Sequence, residues 1–212
     1  MTDTWEMVDA ERTDLADLTD SLTPAQWDAP TLCTAWKVRD VVAHVTEGAT
    51  LTTGKTIAVV AKYGFRINKM LNDEAIKGGA APIDTVKRDW RATVGVRRTP
   101  PGVKAAGLLA DELIHQQDIR RALAIPRQIP EERLRVVLDE TAKTGSGYLP
   151  AKKRIKGLNL KASDIDWETG EPDGAEVAGP AEALLMAMAG RPAALDDLTG
   201  PGVETLRARI VN

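Results

Sequence analysis

One uninterrupted helical segment constrains the fold of this chain most strongly. Residues 108–123 read LLADELIHQQDIRRAL and contain neither glycine nor proline, so the segment predicts a helix. Within it Asp111, His115 and Asp118 stand at i, i+4 and i+7, which places them on one stripe of that helix. The stripe is bordered by apolar residues, namely Leu108, Ile119 and Ala122. We therefore expect the three polar side chains to face a partly enclosed region rather than open solvent.

The chain has only two histidines, and the second lies in another helical pattern, VRDVVAHVTEG. Imidazole nitrogens and carboxylate oxygens are ligands that suit Zn²⁺, and Ni²⁺ and Fe²⁺ also accept them. Asp111 and His115, one turn apart on one helix, and His44 from a facing helix would leave a fourth position open on a metal ion. The spacing alone is equally compatible with His115 pairing with Asp111 or Asp118 at a helix surface, and with His44 as an ordinary boundary residue.

Other charged residues are weaker candidates for the same site. Glu112 is a possible substitute ligand, although it lies about 100° around the helix from the acid before it. Glu47, one turn after the first histidine, is a candidate base or support for that histidine, and Asp118 could orient the second imidazole. Arg207 and Arg209, in the last predicted helix, could close over an anionic cofactor or substrate. Glu47, Arg207 and Arg209 have a plain alternative as solvated surface charges.

Composition and cysteine content exclude several classes of protein. The net charge of −3 gives no electrostatic reason to expect nucleic acid or an anionic membrane as a partner. No apolar run approaches the ~20 residues of a membrane span, and the acidic N-terminal segment does not resemble a secretory signal. The single cysteine, Cys33, excludes an internal disulfide and favours a cytoplasmic protein. We interpret it as a buried structural thiol, with a nucleophile or metal ligand as the alternative.

The order of patterns along the chain predicts two domains. Helical patterns dominate the first part, at residues 4–20, 38–63, 66–77, 82–97, 108–123 and 131–144. Four long helices with short connections favour an up-and-down bundle. The later segment predicts a two-strand hairpin, a loop and two short helices, at residues 154–167, 168–174, 181–190 and 202–211. We therefore predict a mainly α protein, with a helical bundle at 1–147 and a small α+β domain at 148–212.

Three blocks of sequence resemble one known family over nearly the whole chain. Residues 36–44, WKVRDVVAH, look like the W-x-V-x-D-x-x-x-H block of the maleylpyruvate isomerase family of mycothiol-dependent enzymes. Residues 111–123, DELIHQQDIRRAL, are similar to the second metal-ligand helix of that family. The segments 162–167 and 176–181 resemble its C-terminal domain. The blocks occur in the order that the family has, and they say little about substrate.

The resemblance implies a DinB-like four-helix bundle that binds a divalent metal, usually zinc, with nickel as a second possibility. Its ligands would be His44, Asp111 and His115, although the characterised isomerase has Glu where this chain has Asp111, which shortens the side chain by about 1.5 Å. The implied cofactor is mycothiol, whose metal-bound thiolate would attack a small electrophilic substrate in an isomerisation or an S-transfer.

Two alternatives remain open at this point. The first is a non-catalytic binding or regulatory member of the family that has lost the metal, which the aspartate keeps open. The second is a metal-dependent hydrolase that uses bound water. The sequence permits a monomer or a homodimer.

Overall fold

The structure, a computed structural model, describes residues 2–145 and 149–211 of the chain. These residues are mainly helical, with a single three-stranded sheet among them. They divide into two compact units, Met1–Arg127 and Gln128–Asn212. The predicted domain boundary, between residues 147 and 148, lies outside the described residues and stays a prediction.

The first unit is a bundle of helices. In chain order these are α1 (Thr4–Ser21), α2 (Pro24–Trp27), α3 (Val38–Thr50), α4 (Thr53–Lys62), α5 (Ile67–Gly79), α6 (Ile83–Arg91) and α7 (Ala105–Ala122). Helix α1 packs on α6 and α7, and α3 packs on α5, α6 and α7. The predicted central helix is therefore confirmed as α7, with its first turn three residues earlier than predicted.

A shared apolar core holds these helices together. Leu15 of α1, Val41 of α3, Trp90 of α6 and Ile119 of α7 are fully buried in one cluster. The indole Nε1 of Trp90 donates a hydrogen bond of 3.2 Å to the carbonyl oxygen of Arg12, so its only polar atom is satisfied. The core fixes the faces that α3 and α7 turn toward each other.

The prediction of one helix over residues 38–63 is wrong, because the helix breaks at Leu51. That residue has an extended backbone, with φ −61° and ψ 130°. The hydroxyl of Thr52 then accepts a hydrogen bond from the backbone N–H of Lys55 and caps α4. A local cap thus competes successfully with helix continuation in a segment rich in threonine.

The second unit combines helices with the sheet. Its elements are α8 (Glu131–Lys143), α9 (Ala151–Arg154), β1 (Leu158–Ala162), β2 (Glu168–Gly170), β3 (Ala175–Gly179), α10 (Ala181–Met188), a 3₁₀ helix (Pro192–Asp197) and α11 (Val203–Val211). Strand β1 is central, antiparallel to β2 and parallel to β3. Helix α10 packs on the sheet and on α8.

Two details of the predicted hairpin differ in the structure. The second strand is 168–170 rather than 165–167, because residues 163–167 form the turn, closed by a hydrogen bond of 2.9 Å from Ala162 N to Trp167 O. Strand β3 was not predicted at all. Within the described residues no helix is long and apolar enough to cross a membrane.

Candidate metal centre

Three side chains from α3 and α7 converge as the spacing predicted. Asp111 Oδ1 lies 3.6 Å from His115 Nε2, and Asp111 Oδ2 lies 3.8 Å from His44 Nε2. One ligand atom from each of the three residues lies within 4.8 Å of the other two. His115 is buried, His44 is half-buried, and the Asp111 side chain is 40% exposed. The group is therefore enclosed on the histidine side and open on the aspartate side.

The spacing of these atoms fits a divalent ion. In a tetrahedral site with metal–ligand distances of 2.0–2.2 Å, neighbouring ligand atoms are about 3.3 Å apart. Each of the two observed nitrogen–oxygen distances, which run to different oxygens of the Asp111 carboxylate, exceeds that by only a few tenths of an ångström. The shorter side chain of Asp111 thus reaches both imidazoles. Two nitrogen donors and one oxygen donor suit zinc or nickel.

Asp118 holds the imidazole of His115 from the other side. Its Oδ2 lies 3.0 Å from His115 Nδ1, and its side chain is fully buried. An ionised carboxylate only accepts hydrogen bonds, so this contact assigns the proton to Nδ1 and leaves the Nε2 lone pair facing Asp111. The arrangement is the carboxylate–histidine pair that commonly orients a metal ligand.

The loop before α3 adds an aromatic wall to the site. The ring of Trp36 lies 4.8 Å from the ring of His44 and 5.6 Å from that of His115, measured between centroids. Its Nε1 donates a hydrogen bond of 3.2 Å to Asn72 Oδ1 of α5. The backbone N–H of Leu32 donates to the carbonyl oxygen of Asp118, at 3.2 Å. These contacts attach the loop to both sides of the site; no local signal in the sequence indicated Asn72.

Glu47 lies one helical turn after His44 on α3 and is partly buried. Burial raises the pKa of Glu47 above its usual value, and the nearby negative charge of Glu74 raises it further. A carboxyl group with a raised pKa is better suited to exchange protons near neutral pH. Its role as a base or a support for His44 stays a prediction.

Glu112 is not available as a substitute ligand. Its carboxylate is fully buried and accepts hydrogen bonds of 3.0 and 2.9 Å from Arg12 Nε and Nη2. The other guanidinium nitrogen donates to the carbonyl oxygens of Thr93 and Val96. Glu112 therefore serves the packing of α1 against α7. The sequence did not reveal this, because Arg12 is 100 residues away.

The two arginines proposed for a cofactor lie in the second unit, on α11. Arg207 approaches Glu204 and Asp196 at 3.3 and 3.9 Å. Arg209 donates two hydrogen bonds of 2.6 Å to the carbonyl oxygens of Arg154 and Lys156. Both guanidiniums thus have partners within their own unit, and a role in cofactor binding stays a prediction.

Comparison with solved structures identifies the fold. The crystal structure of the mycothiol-dependent maleylpyruvate isomerase matches with a TM-score of 0.60 and 16% sequence identity, over 93% of this chain and 91% of that chain. A histidine-to-alanine mutant of the mycothiol-dependent maleylpyruvate isomerase matches with a TM-score of 0.59 and 15% identity over the same shares. At this identity the likeness speaks for the fold, and it confirms the DinB-like bundle followed by a small α+β unit.

The family assignment comes from the sequence. No curated protein gives a significant match. The family described as the mycothiol maleylpyruvate isomerase N-terminal domain matches residues 8–120, which is more than half of the chain and includes every helix that contributes to the site. The chain therefore belongs to the mycothiol maleylpyruvate isomerase family.

Proposed function

We propose that this protein is a mycothiol-dependent enzyme that binds a divalent metal through His44, Asp111 and His115 and acts on a small electrophilic substrate. The observation that carries the proposal is the convergence of two imidazole nitrogens on one carboxylate, at 3.6 and 3.8 Å, in a member of this family. Zinc is the ion we expect, with nickel as the second choice.

The chemistry of the site divides between the ion and the side chains. A divalent ion held there would act as a Lewis acid that favours the thiolate form of a thiol. Asp118 keeps the proton of His115 on Nδ1, so that Nε2 stays available as a donor. Trp36 covers both imidazoles and keeps water from that side, while the exposed edge of Asp111 leaves room for a thiol to enter.

Mycothiol bound at this position would supply a nucleophilic sulfur, which would serve either the isomerisation of an activated double bond or S-transfer to an electrophilic carbon. Glu47 is the residue we propose for proton exchange with the substrate, because burial raises its pKa.

The partners and location follow from the same proposal. A low-molecular-weight thiol and a small electrophile are the expected partners, with no nucleic acid and no membrane. A protein that uses a reduced thiol, and whose only cysteine is Cys33, is expected in the cytoplasm. We expect a monomer or a homodimer.

The first experiment is metal analysis by plasma mass spectrometry on protein purified without an affinity tag or chelator. Wild type is compared with His115→Ala and with Asp111→Asn, and the exposed Asp173→Asn serves as the matched control. We expect a single zinc or nickel ion in wild type and in the control, and its loss in His115→Ala. Thiol-dependent turnover of electrophiles should disappear in both site variants.

Three results would overturn the proposal. A wild-type protein that neither contains nor takes up metal would favour the non-catalytic binding or regulatory member of the family. Metal content and thiol-dependent turnover that survive both site variants would exclude the assigned ligands. Turnover that needs the metal but no added thiol would indicate a hydrolase instead.

A further inference from the structure

His115 faces a different carboxylate with each of its ring nitrogens. Nε2 lies 3.6 Å from Asp111 Oδ1, and Nδ1 lies 3.0 Å from Asp118 Oδ2. A further donor, Cys33, lies close to this ring, because one ligand atom each of Cys33, His115 and Asp118 lies within 4.8 Å of the other two. The ring is thus shared by two sets of three donor residues.

We propose that Cys33, His115 and Asp118 form a second binding position for a thiolate-seeking divalent cation, separate from the position formed by His44, Asp111 and His115. This inference goes beyond the proposed function and does not depend on any thiol cofactor or substrate.

The backbone around Cys33 holds its side chain in this place. The N–H of Leu32 donates to the carbonyl oxygen of Asp118, so the chain is fastened to α7 one residue before the cysteine. The N–H of Cys33 donates to Thr31 Oγ1 at 3.2 Å, and its carbonyl oxygen accepts from Trp36 N at 3.0 Å. Cys33 is half-buried and packs against the apolar core of the first unit, and its interpretation as a buried structural thiol stays a prediction.

The two positions differ in the negative charge of their ligands and in the chemical softness of their ligand atoms. A thiolate from Cys33 and the carboxylate of Asp118 together neutralise a divalent ion, whereas the other set offers a single negative charge from Asp111. Neutralisation matters here because the Asp118 side chain is fully buried and an uncompensated charge there would be costly. Sulfur as a ligand selects zinc, cobalt or cadmium over magnesium or calcium. On binding, the thiol and His115 Nδ1 lose their protons to solvent, and no oxidation or reduction occurs.

The two positions exclude each other. Asp118 accepts a hydrogen bond from His115 Nδ1 when the ion is bound on the Nε2 side, and it is itself a ligand when the ion is bound on the Nδ1 side. The chain should therefore hold one ion at a time, in one position or the other.

Cobalt(II) provides the test, because a cobalt–thiolate bond gives a charge-transfer band in the near ultraviolet. The variant is the full-length chain with both His44→Ala and Asp111→Ala, which loses two donors of the first position and keeps all three of the second. We expect a single cobalt ion with a thiolate band. Adding Cys33→Ser, which is nearly isosteric, should abolish that band. Since Cys33 is the only cysteine, no other residue can produce the signal.

Two outcomes would overturn the inference. A folded double variant that binds no cobalt, or binds it without a thiolate band, would show that Cys33 is not a ligand. If the double variant does not fold, cadmium(II) titration of wild type against Cys33→Ser decides, because a cadmium–thiolate band must be present in the first and absent from the second. The proposed function fails separately, when thiol-dependent turnover of electrophiles survives the substitution of Asp111.

Discussion

Two consecutive acids on α7 have opposite environments. Asp111 is 40% exposed and faces the imidazoles of His44 and His115. Glu112 is fully buried and forms an ion pair of 2.9 Å with Arg12. A rotation of about 100° between neighbouring residues separates the two faces. Burial and partners, rather than the carboxylate itself, thus decide which acid faces the two imidazoles and which one holds the bundle together.

The face of α7 that carries Glu112, the structural face, depends on a closed network of hydrogen bonds. The face that carries Asp111 is the chemical face. Burial raises the pKa of Glu112, and the guanidinium of Arg12 opposes that rise. Arg12 also binds the carbonyl oxygens of Thr93 and Val96, which fastens the segment after α6 to α1. A buried charge that loses its partner in such a network is expensive, because it can no longer reach water.

The largest predicted effect is the loss of this pair. Glu112→Ala should lower the free energy of unfolding by about 3–5 kcal/mol, because it leaves the Arg12 guanidinium buried without its counter-charge. Asp111→Ala should change it by less than about 0.5 kcal/mol, since that side chain is partly exposed. Urea unfolding, monitored by circular dichroism, measures the free energy of unfolding of both variants.

The comparison of Glu112→Ala with Asp111→Ala has a stringent control. The double variant Arg12→Met with Glu112→Leu replaces the pair by apolar groups and should recover much of the stability lost in Glu112→Ala. If Asp111→Ala and Glu112→Ala lower the free energy of unfolding equally, the division of α7 into a structural face and a chemical face is wrong.

We expect a smaller effect from a substitution at Asp118, where the structural and chemical faces of α7 meet. This acid is as buried as Glu112, yet it contacts a proposed metal ligand, His115. Asp118→Asn should lower the affinity for zinc by about 10–100-fold, because the amide orients the imidazole less well than the carboxylate. Competition with a chelating dye measures this affinity. An unchanged affinity would place Asp118 with the structural residues, and Asp173→Asn is the matched control.

The sequence predicted the chemical face of α7 much better than the structural one. Asp111, His115 and Asp118 follow from helical spacing within one uninterrupted segment, so local geometry suffices. The partner of Glu112 depends on packing between distant segments, which no spacing reveals. Cys33 shows the same limit, because its approach to α7 depends on a loop whose backbone is fastened to the helix.

Short elements were missed for a different reason. Strand β3 has no regular alternation in its sequence, AEVAG, and it forms because it pairs with β1 in parallel register. The break of the predicted helix at Leu51 depends on the cap that Thr52 supplies. In both cases the structure depends on specific hydrogen-bonded partners, which the periodicity of the sequence does not reveal.

The α3 side of the site relies on close packing instead of an ion pair. A Cβ added to Gly79 of α5 would lie 2.9 Å from Asp40 Cα and would also collide with its carboxylate, which accepts a hydrogen bond from Lys37 N at the start of α3. Gly79→Ala should therefore lower the free energy of unfolding by about 1–3 kcal/mol. Gly48→Ala, in α3 itself, meets nothing within 4 Å and should raise it by about 0.5–1 kcal/mol. Thermal unfolding of both variants measures the difference, and a loss in Gly48→Ala as well would show that α3 tolerates no added methyl.

The smallest effect concerns Glu47, which lies on α3 one helical turn after His44. Burial and Glu74 raise the pKa of Glu47, so the folded chain binds this proton more tightly than the unfolded chain does. Wild-type stability should therefore fall as the pH rises from the pKa of the unfolded chain through the higher pKa of the folded chain. Glu47→Gln removes this titration, so the variant should match wild type at low pH and exceed it in stability above the folded pKa. Denaturation across that pH range measures the difference, with the exposed Glu176→Gln as the control. A constant difference at all pH values would mean that Glu47 carries no buried charge, and its proposed part in proton exchange would lose its physical basis.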